Sequence, residues 1–588
     1  RDLQKCSVDP LFISEQKFML RPIILDSFKN YSRTNFFADI TSGIIVGIVA
    51  IPLAIAFAIA SGVTPDKGLV TAVIAGFMIS LLGGSKVQIS GPTGAFVVIL
   101  YGIVQQHGVE GLATATLMAG ILLLIMGITG LGSLIKFIPF PVVVGFTSGI
   151  AVIIFTSQIR DLFGLPLENV PSGFHEKWIL YIRSLGSVNL HAMIIAAGSL
   201  LILVLWTKVS KKIPASLIVI FFSVAISQIL GLDVETIGSR FGSIPSMIPA
   251  PVIPDLDFQT LKALISPAIS IALLGGIEAL LSAVVADGMT DDKHRSNIEL
   301  VAQGIANVIT PIFGGIPATG AIARTATNIK NGGRTPVAGI VHALVILMIM
   351  VFLGRWVVYI PLAALAAILV IVAYHMSEWR TFAVLLKSPR SDIAVLITTF
   401  LLTVIADLTV AIQLGVALSV VLFMRRLVVV SGIEALKTEL LDEKAENTGE
   451  TELLDEKPPI PEGVDIYEVK GPFFFGTAFR FEEALGAIGE NDSEVLILGM
   501  RNVPFIDSTG LNTLRRFSQA CRKHNVNLIL SGIQSEALGN LKKAGLNHNI
   551  GHENIHPDFN SAMKRAKEVL YAKTIDSHPT SYSSKETV

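Results

Sequence analysis

Two matched breaks inside apolar runs constrain this chain more than any other feature of it. The first is Gln88-Ile89-Ser90-Gly91-Pro92-Thr93-Gly94-Ala95-Phe96 and the second is Gly314-Gly315-Ile316-Pro317-Ala318-Thr319-Gly320-Ala321-Ile322. Each holds a proline and then Thr-Gly-Ala followed by an apolar residue, and the two units lie 226 positions apart (319 less 93). Lipid offers nothing to backbone N–H and C=O groups, so a chain at membrane depth leaves the helix only where protein or a water-filled cavity surrounds it. Paired breaks in corresponding places point to half-helices whose N-termini face a site near the bilayer midplane.

The surrounding runs have about the length a spanning helix needs. A first set covers 38–60, 68–84, the interrupted 88–105, 111–132, 138–158, 190–207 and 213–231. A second covers 262–287, 299–313, the interrupted 316–330, 335–353, 357–375, 391–406 and 409–429. With 52% hydrophobic and only 15% charged residues the chain is too apolar for an ordinary soluble protein. The alternating, aromatic-girdled strands of a membrane barrel are missing, so the spans read as helices. Ala60-Ser61-Gly62-Val63-Thr64 and Ala286-Asp287-Gly288-Met289-Thr290 repeat the offset of 226 (286 less 60). A duplicated unit of seven spans follows, and because seven is odd the second copy enters from the opposite side. Lys86, Lys136, Lys208-Lys211-Lys212, Lys293-Arg295, Lys330-Arg334, Arg380-Lys387-Arg390 and Arg425-Arg426 fall in loops on one side. This positive-inside bias predicts both termini in the cytoplasm and a multi-pass protein of the plasma membrane. A net charge of −1 without a dominant basic block argues against nucleic acid as a partner. Cys6 and Cys521 are too far apart in sequence to suggest a disulfide framework or a metal cluster, and no cofactor is expected.

Around the breaks the chemistry is that of an anion site. Proline suits the first turn of a helix, where no amide donor is needed. A helix starting near Thr93-Gly94-Ala95-Phe96, and another near Thr319-Gly320-Ala321-Ile322, would each present free N–H groups and about half a positive charge. Arg324, inside the second interrupted span, would add a full charge; its alternative is to snorkel to the headgroups. Glu278 is the only ionisable residue between Leu264 and Ala286. Such a carboxylate is protonated, paired or bound to a cation, so it reads as a coupling site for H⁺, or for Na⁺ with the Ser282 hydroxyl one turn away. A structural pair with Arg324 is the alternative. Gln303 and Asn307, one turn apart, read as inter-span hydrogen bonding.

Beyond the last span the pattern changes. An acidic stretch from 434 to 460 reads as a surface helix and linker, within a 431–462 connection. From 463 to 572 strands at Val464–Val469, Glu494–Leu498 and Asn527–Ser531 alternate with helices at 477–489, 509–524 and 534–545, a small α/β domain. Asp507-Ser508-Thr509-Gly510 caps the second of those helices, with ligand binding or phosphorylation of Ser508 or Thr509 as the sharper reading. The Ser- and Thr-rich tail, 573–588, reads as disordered. Residues 1–37 form a polar N-terminal segment ahead of a transmembrane region at 38–430, with repeats at 38–231 and 262–430.

The Gln88–Ala95 segment, the block Glu278–Gly288, the run Gly314–Arg334 and the trailing Asp507-Ser508-Thr509-Gly510 occur in an order that resembles the sulfate permease (SulP) family of anion transporters with a C-terminal STAS domain. The resemblance implies fourteen spans in two inverted repeats, arranged as core and gate domains, often dimeric and moving as an elevator. It implies an anion site between the third and tenth spans, at Thr93–Phe96 and Thr319–Ile322, and an eighth-span acidic coupling residue at Glu278. It departs at Ala323, where animal relatives often have serine. The function implied is secondary active uptake of sulfate, bicarbonate or a dicarboxylate. An uncoupled exchanger or channel, or a membrane-anchored STAS sensor with a cytoplasmic protein partner, is the competing expectation.

Overall fold

The computed structural model describes residues 21–28, 31–132, 139–167, 170–171, 173–209, 214–242, 247–254, 257–406, 408–435, 460–478 and 493–577. These residues divide into two compact units, Arg1–Ser419 and Val420–Val588.

In the first unit the apolar runs become helices whose starts carry the expected punctuation. Ser32 caps α1 (Arg33–Ala60) by accepting from Asn35 N at 3.1 Å, and α2 (Pro65–Leu82) opens on a proline. The strand β1 (Ser90–Gly91) and a 3-10 turn at Gly94–Phe96 lead into α3 (Val97–Ile128). Here the third and fourth expected spans run on directly: helical geometry breaks only at Gly108 (φ 68°, ψ −175°), which takes the place of the longer connection expected at 106–110. The set continues with α4 (Phe140–Leu162), the short α5 (Phe174–Arg183), α6 (Leu190–Val209) and α7 (Ala215–Ile229).

The second set mirrors it. Asp257 caps α8 (Phe258–Thr290), followed by α9 (Ser296–Ile312), β2 (Thr319–Gly320) and α10 (Ile322–Lys330). Then come α11 (Pro336–Val357), α12 (Leu362–Met376), the short α13 (Trp379–Leu385), α14 (Arg390–Ile405) and α15 (Leu408–Val430). Among the described residues seven helices are long and apolar enough to cross a membrane by themselves, and α6 and α7 supply shorter apolar stretches. With the third and fourth spans sharing α3, and the tenth shortened to a half-helix, the fourteen-span inverted repeat is complete.

Packing sorts the spans into two bundles. The helices α1, α2, α3, α8, α9, α10 and α11 pack on one another, as do α4, α6, α7, α12 and α14. Glycines let backbones meet in the first bundle: a Cβ on Gly304 would stand 2.6 Å from Leu124 N. These bundles are the core and the gate.

In the second unit a five-stranded sheet has the order β3-β4-β5-β6-β7, with β3 (Gly432–Ala435), β4 (Val464–Lys470), β5 (Val495–Asn502), β6 (Asn527–Ser531) and β7 (Ile555–His556). β3 is antiparallel to β4 and the rest are parallel, in register through Ile466, Ile497 and Ile529. One face packs on α16 (Ser508–Lys523), α17 (Ser535–Lys543) and α18 (Leu546–Ile550), the other on α19 (Phe559–Ser577). Three differences from expectation appear. Glu434 and Ala435 lie in β3 rather than opening a surface helix, because the edge of β4 satisfies their backbone groups. The last helix continues to Ser577, past residue 573, while 578–588 lie outside the described residues. The helix expected at 477–489 falls almost wholly outside them too.

Candidate functional site

The two breaks meet. Ser90 pairs with Gly320 and Gly91 with Thr319 in an antiparallel ladder of two residues, extended by Ala321 N donating to Ile89 O at 2.9 Å. Antiparallel pairing of equivalent segments is what an inverted repeat demands of elements that cross at its centre. The first half-helix leaves this ladder after Thr93 (φ −127°, ψ 159°), the second after Ala321 (φ −101°, ψ 106°). Neither of these residues caps its helix with a side chain, so the leading amides of both are left to a ligand or water.

Extended backbone inside a membrane protein must be satisfied by side chains, and here it is. Ile89 N donates to Thr325 Oγ1 at 3.0 Å, Asn328 Nδ2 donates to Val87 O at 2.8 Å, and Ile316 N donates to Thr71 Oγ1 at 2.7 Å. Asn307 clamps the second approach from both sides: its Nδ2 donates to Ala318 O and its Oδ1 accepts from Ala318 N, each at 2.8 Å. Gln303, expected to share that bonding, instead donates from Nε2 to Glu299 Oε1 at 3.0 Å. Glu299, buried, also accepts from Gln88 Nε2 at 3.0 Å and from Gly84 N at 2.8 Å, fastening the first approach. Sequence reasoning missed Glu299. Its signal was the spacing Glu299-Gln303-Asn307, three polar residues four apart on one helix face.

In front of the ladder lies a cavity of about 340 Å³ between the bundles. Thr93, Gly94, Ala95, Glu278, Ala321, Ile322 and Arg324 line it from the core; Val142, Phe146, His375 and Met376 line it from the gate. Thr93 Oγ1 donates to Glu278 Oε2 at 2.8 Å. Arg324 is buried, donates from Nη2 to Pro92 O, and leaves Nη1 without a hydrogen-bond partner against the Cα of Gly91. Glu278 and Arg324 are therefore each held by the first break and not by one another. That arrangement leaves the Glu278 carboxylate, a guanidinium and two positive helix ends in one enclosure, with the Glu378 carboxylate on its gate side.

Four expected residues stand elsewhere. Phe96 turns into the core, where its ring covers Gly275. Thr319 donates from Oγ1 to Gly275 O at 2.7 Å, and Gly320 sits beneath the Gln88 amide, a place that tolerates no side chain. Ser282 lies 3.2 Å from Thr325 Oγ1 and is not bonded to Glu278: one turn along α8 its hydroxyl is directed at α10, while the longer Glu278 side chain reaches Thr93. Among the described residues no three His, Cys, Asp or Glu side chains are grouped to hold a metal ion. In the second unit Asp507 caps α16, accepting from Gly510 N at 2.7 Å and Phe475 N at 3.1 Å, with Ser508 exposed beside it.

Known proteins share this design. The Sulfate permease family matches residues 36–399 and the STAS domain matches residues 457–562. YvdB of Bacillus subtilis (strain 168), named as a sulfate transporter, is 43% identical over 527 residues, which is 90% of this chain and 97% of that one. The transmembrane domain of a cyanobacterium bicarbonate transporter, BicA, superposes with a TM-score of 0.59 at 31% identity, covering 66% of this chain and 98% of that one. Murine Slc26a9, an anion transporter in the inward-facing state, superposes with a TM-score of 0.84 at 19% identity, covering 97% of this chain and 96% of that one. The chain thus belongs to the sulfate permease family: a multi-pass membrane protein of a transporter family, not an enzyme, with a STAS domain in its C-terminal part.

Proposed function

We propose that this chain is a secondary active transporter that moves a small oxyanion with H⁺ or Na⁺ across the plasma membrane. One observation carries the reading: the hydroxyl of Thr93, at the lip of a half-helix, holds the Glu278 carboxylate in the same enclosure as Arg324. A cation taken up at Glu278 removes the negative charge that would otherwise repel an anion between the helix starts, which couples the two loads electrostatically. Thr93, Gly94, Ala95, Ala321, Ile322 and Arg324 form the anion side. Phe96, Thr319 and Gly320 shape it from behind, and the coupling ion rests on Glu278 and Thr93 with Ser282 buttressing α10.

The site lies where two separately packed bundles face each other, which supports carriage of the anion by displacement of the core against the gate. Relatives named for sulfate and for bicarbonate favour those anions, with dicarboxylates as the third class. Both termini are assigned to the cytoplasm by the charge bias of the loops. The assembly is a homodimer, and the exposed Ser508 with Thr509 is the regulatory point of the STAS domain, where a cytoplasmic protein would dock. The test is uptake of labelled sulfate, bicarbonate and a C4-dicarboxylate into proteoliposomes under imposed pH and Na⁺ gradients. Gradient-driven accumulation of one of them, lost in Glu278→Gln, is expected. Flux that ignores both gradients and survives Glu278→Gln would instead establish a channel or exchanger.

A further inference from the structure

A second cavity, of about 410 Å³, lies further along the same helices. On α4 the first cavity takes residues between Val142 and Thr147 and the second residues between Ile153 and Asp161; on α1 the first takes Leu53 and Phe57 and the second Ile59 and Ala60. At 1.5 Å per residue the middles of their α4 linings are roughly 19 Å apart along that helix. Phe57 lines only the first cavity and Ile154 only the second, and the two close around Gly94 as an apolar plug, with Met376 Sδ, Phe57 Cε1 and Ile154 Cδ1 at 2.9, 3.2 and 3.4 Å from where its Cβ would be.

Among the described residues the charged lining of the second cavity is Arg160, Lys177, Arg240 and a single carboxylate, Asp161. Arg240 is committed to its neighbours, donating to Asp161 Oδ1 at 2.8 Å and to Glu235. Lys177 is not, and Arg160 is held only by a long ion pair. Arg160 Nε is buried without a hydrogen-bond partner and stands 3.9 Å from Asp161 Oδ1. Lys177 is 6% exposed, and among the described residues its ammonium meets only the ring of Tyr101, 5.0 Å from the centroid. Burial lowers the Lys177 pKa, because the ammonium is taken out of water. A buried cation kept unpaired in a cavity is stabilised by an anion that enters it.

We propose that this cavity is a second anion site, in which Lys177 and Arg160 take a small oxyanion at the end of the helices away from the first cavity. It rests on the transport reading for its role, which is to load the central site when the Phe57–Ile154 plug opens. It does not rest on that reading for its occupancy.

Two measurements separate these. In the first, the full chain in detergent is treated with an amine-acetylating reagent, and modification of Lys177 and of the exposed Lys262 is followed by mass spectrometry. Sodium sulfate should slow Lys177 several-fold relative to sodium gluconate of equal ionic strength and leave Lys262 unchanged, and Arg160→Gln should weaken the protection. Equal rates in the two salts overturn the site, whatever transport shows. In the second, Lys177→Gln and Arg160→Gln are compared in vesicles of defined orientation. The half-saturation for sulfate presented on the Lys177 side should rise roughly tenfold, with that for the other side unchanged. Equal changes on both sides, or none, overturn the loading role. Protection without any sulfate flux in the unmodified protein would keep the site and sink the transport reading instead.

Discussion

Gly91 is where a single methyl group should report on the anion site. A Cβ added there would stand 2.5 Å from Arg324 Nη1 and 3.5 Å from Ala72 Cα, so the guanidinium is what must give way. An ordinary contact needs about 3.5 Å, which displaces the charge by about 1 Å. For an anion about 4 Å away at an effective dielectric of about 20, that shift weakens the attraction by about 0.8 kcal/mol, or roughly fourfold in half-saturation. The backbone adds its own cost, because Gly91 has φ 154°; about 1–3 kcal/mol of strain should appear as a lower Tm in a detergent melting assay. Arg324→Lys keeps a positive charge and removes the atom that clashes. Gly91→Ala combined with Arg324→Lys should therefore lower Tm and leave the half-saturation where Arg324→Lys alone puts it. Measured by uptake across the four-protein cycle, equal fourfold effects of Gly91→Ala with and without Arg324→Lys would refute the reasoning, since the doubly substituted protein has no guanidinium to displace.

Three further outcomes follow from buried polar groups. Asn307→Leu strands the N–H and C=O of buried Ala318, at about 1–3 kcal/mol each, and should lower both Tm and uptake; a protein that melts and transports normally would remove Asn307 from its clamping role. Asp507→Ala should cost about 1–2 kcal/mol in the unfolding of the STAS domain, followed by hydrogen exchange of α16 in the full chain, without changing the half-saturation for anion. Burial pushes the Cys521 thiol up to about 12, so the thiolate is excluded from the fold. Because the folded value is the higher one, this contribution to stability is complete below the unfolded thiol's range and is lost as pH rises from about 9 towards 12. Native protein at pH 8 should leave Cys521 unlabelled by a maleimide and denatured protein should label it; rapid native labelling would contradict that burial.

The breaks are visible in the sequence because Pro, Thr and Gly stand out against apolar runs, and the common offset of 226 ties them together. The sequence does not show which residues of each tetrad face the cavity. Ala321 and Ile322 face it while Thr319 and Gly320 back the ladder, since a two-residue strand ends between them and reverses the direction of the side chains. Helical spacing alone puts Ser282 with Glu278; spacing gives a shared face and says nothing of reach, and the nearer partner on α10 takes the hydroxyl. Glu299 is easy to pass over because it opens a span, where a carboxylate reads as an ordinary first-turn residue; the Glu299-Gln303-Asn307 spacing marks a polar face, and the bonds to Gly84, Gln88 and Gln303 make it the anchor of the first break. In the α/β unit, alternation found β4, β5 and β6, but the edge strand β3 is acidic and short and carries no pattern of its own.

The most direct measurement is the position of the anion itself. A structure of the protein with selenate, located by its anomalous scattering or by density, should place the ligand in the cavity lined by Thr93, Gly94, Ala321 and Arg324. There it should accept from the leading amides of both half-helices, with Glu278 beside it. Selenate found only in the cavity of Lys177 and Arg160, or bound at the Arg324 pocket without either helix start, would contradict the claim that the paired breaks are the anion site.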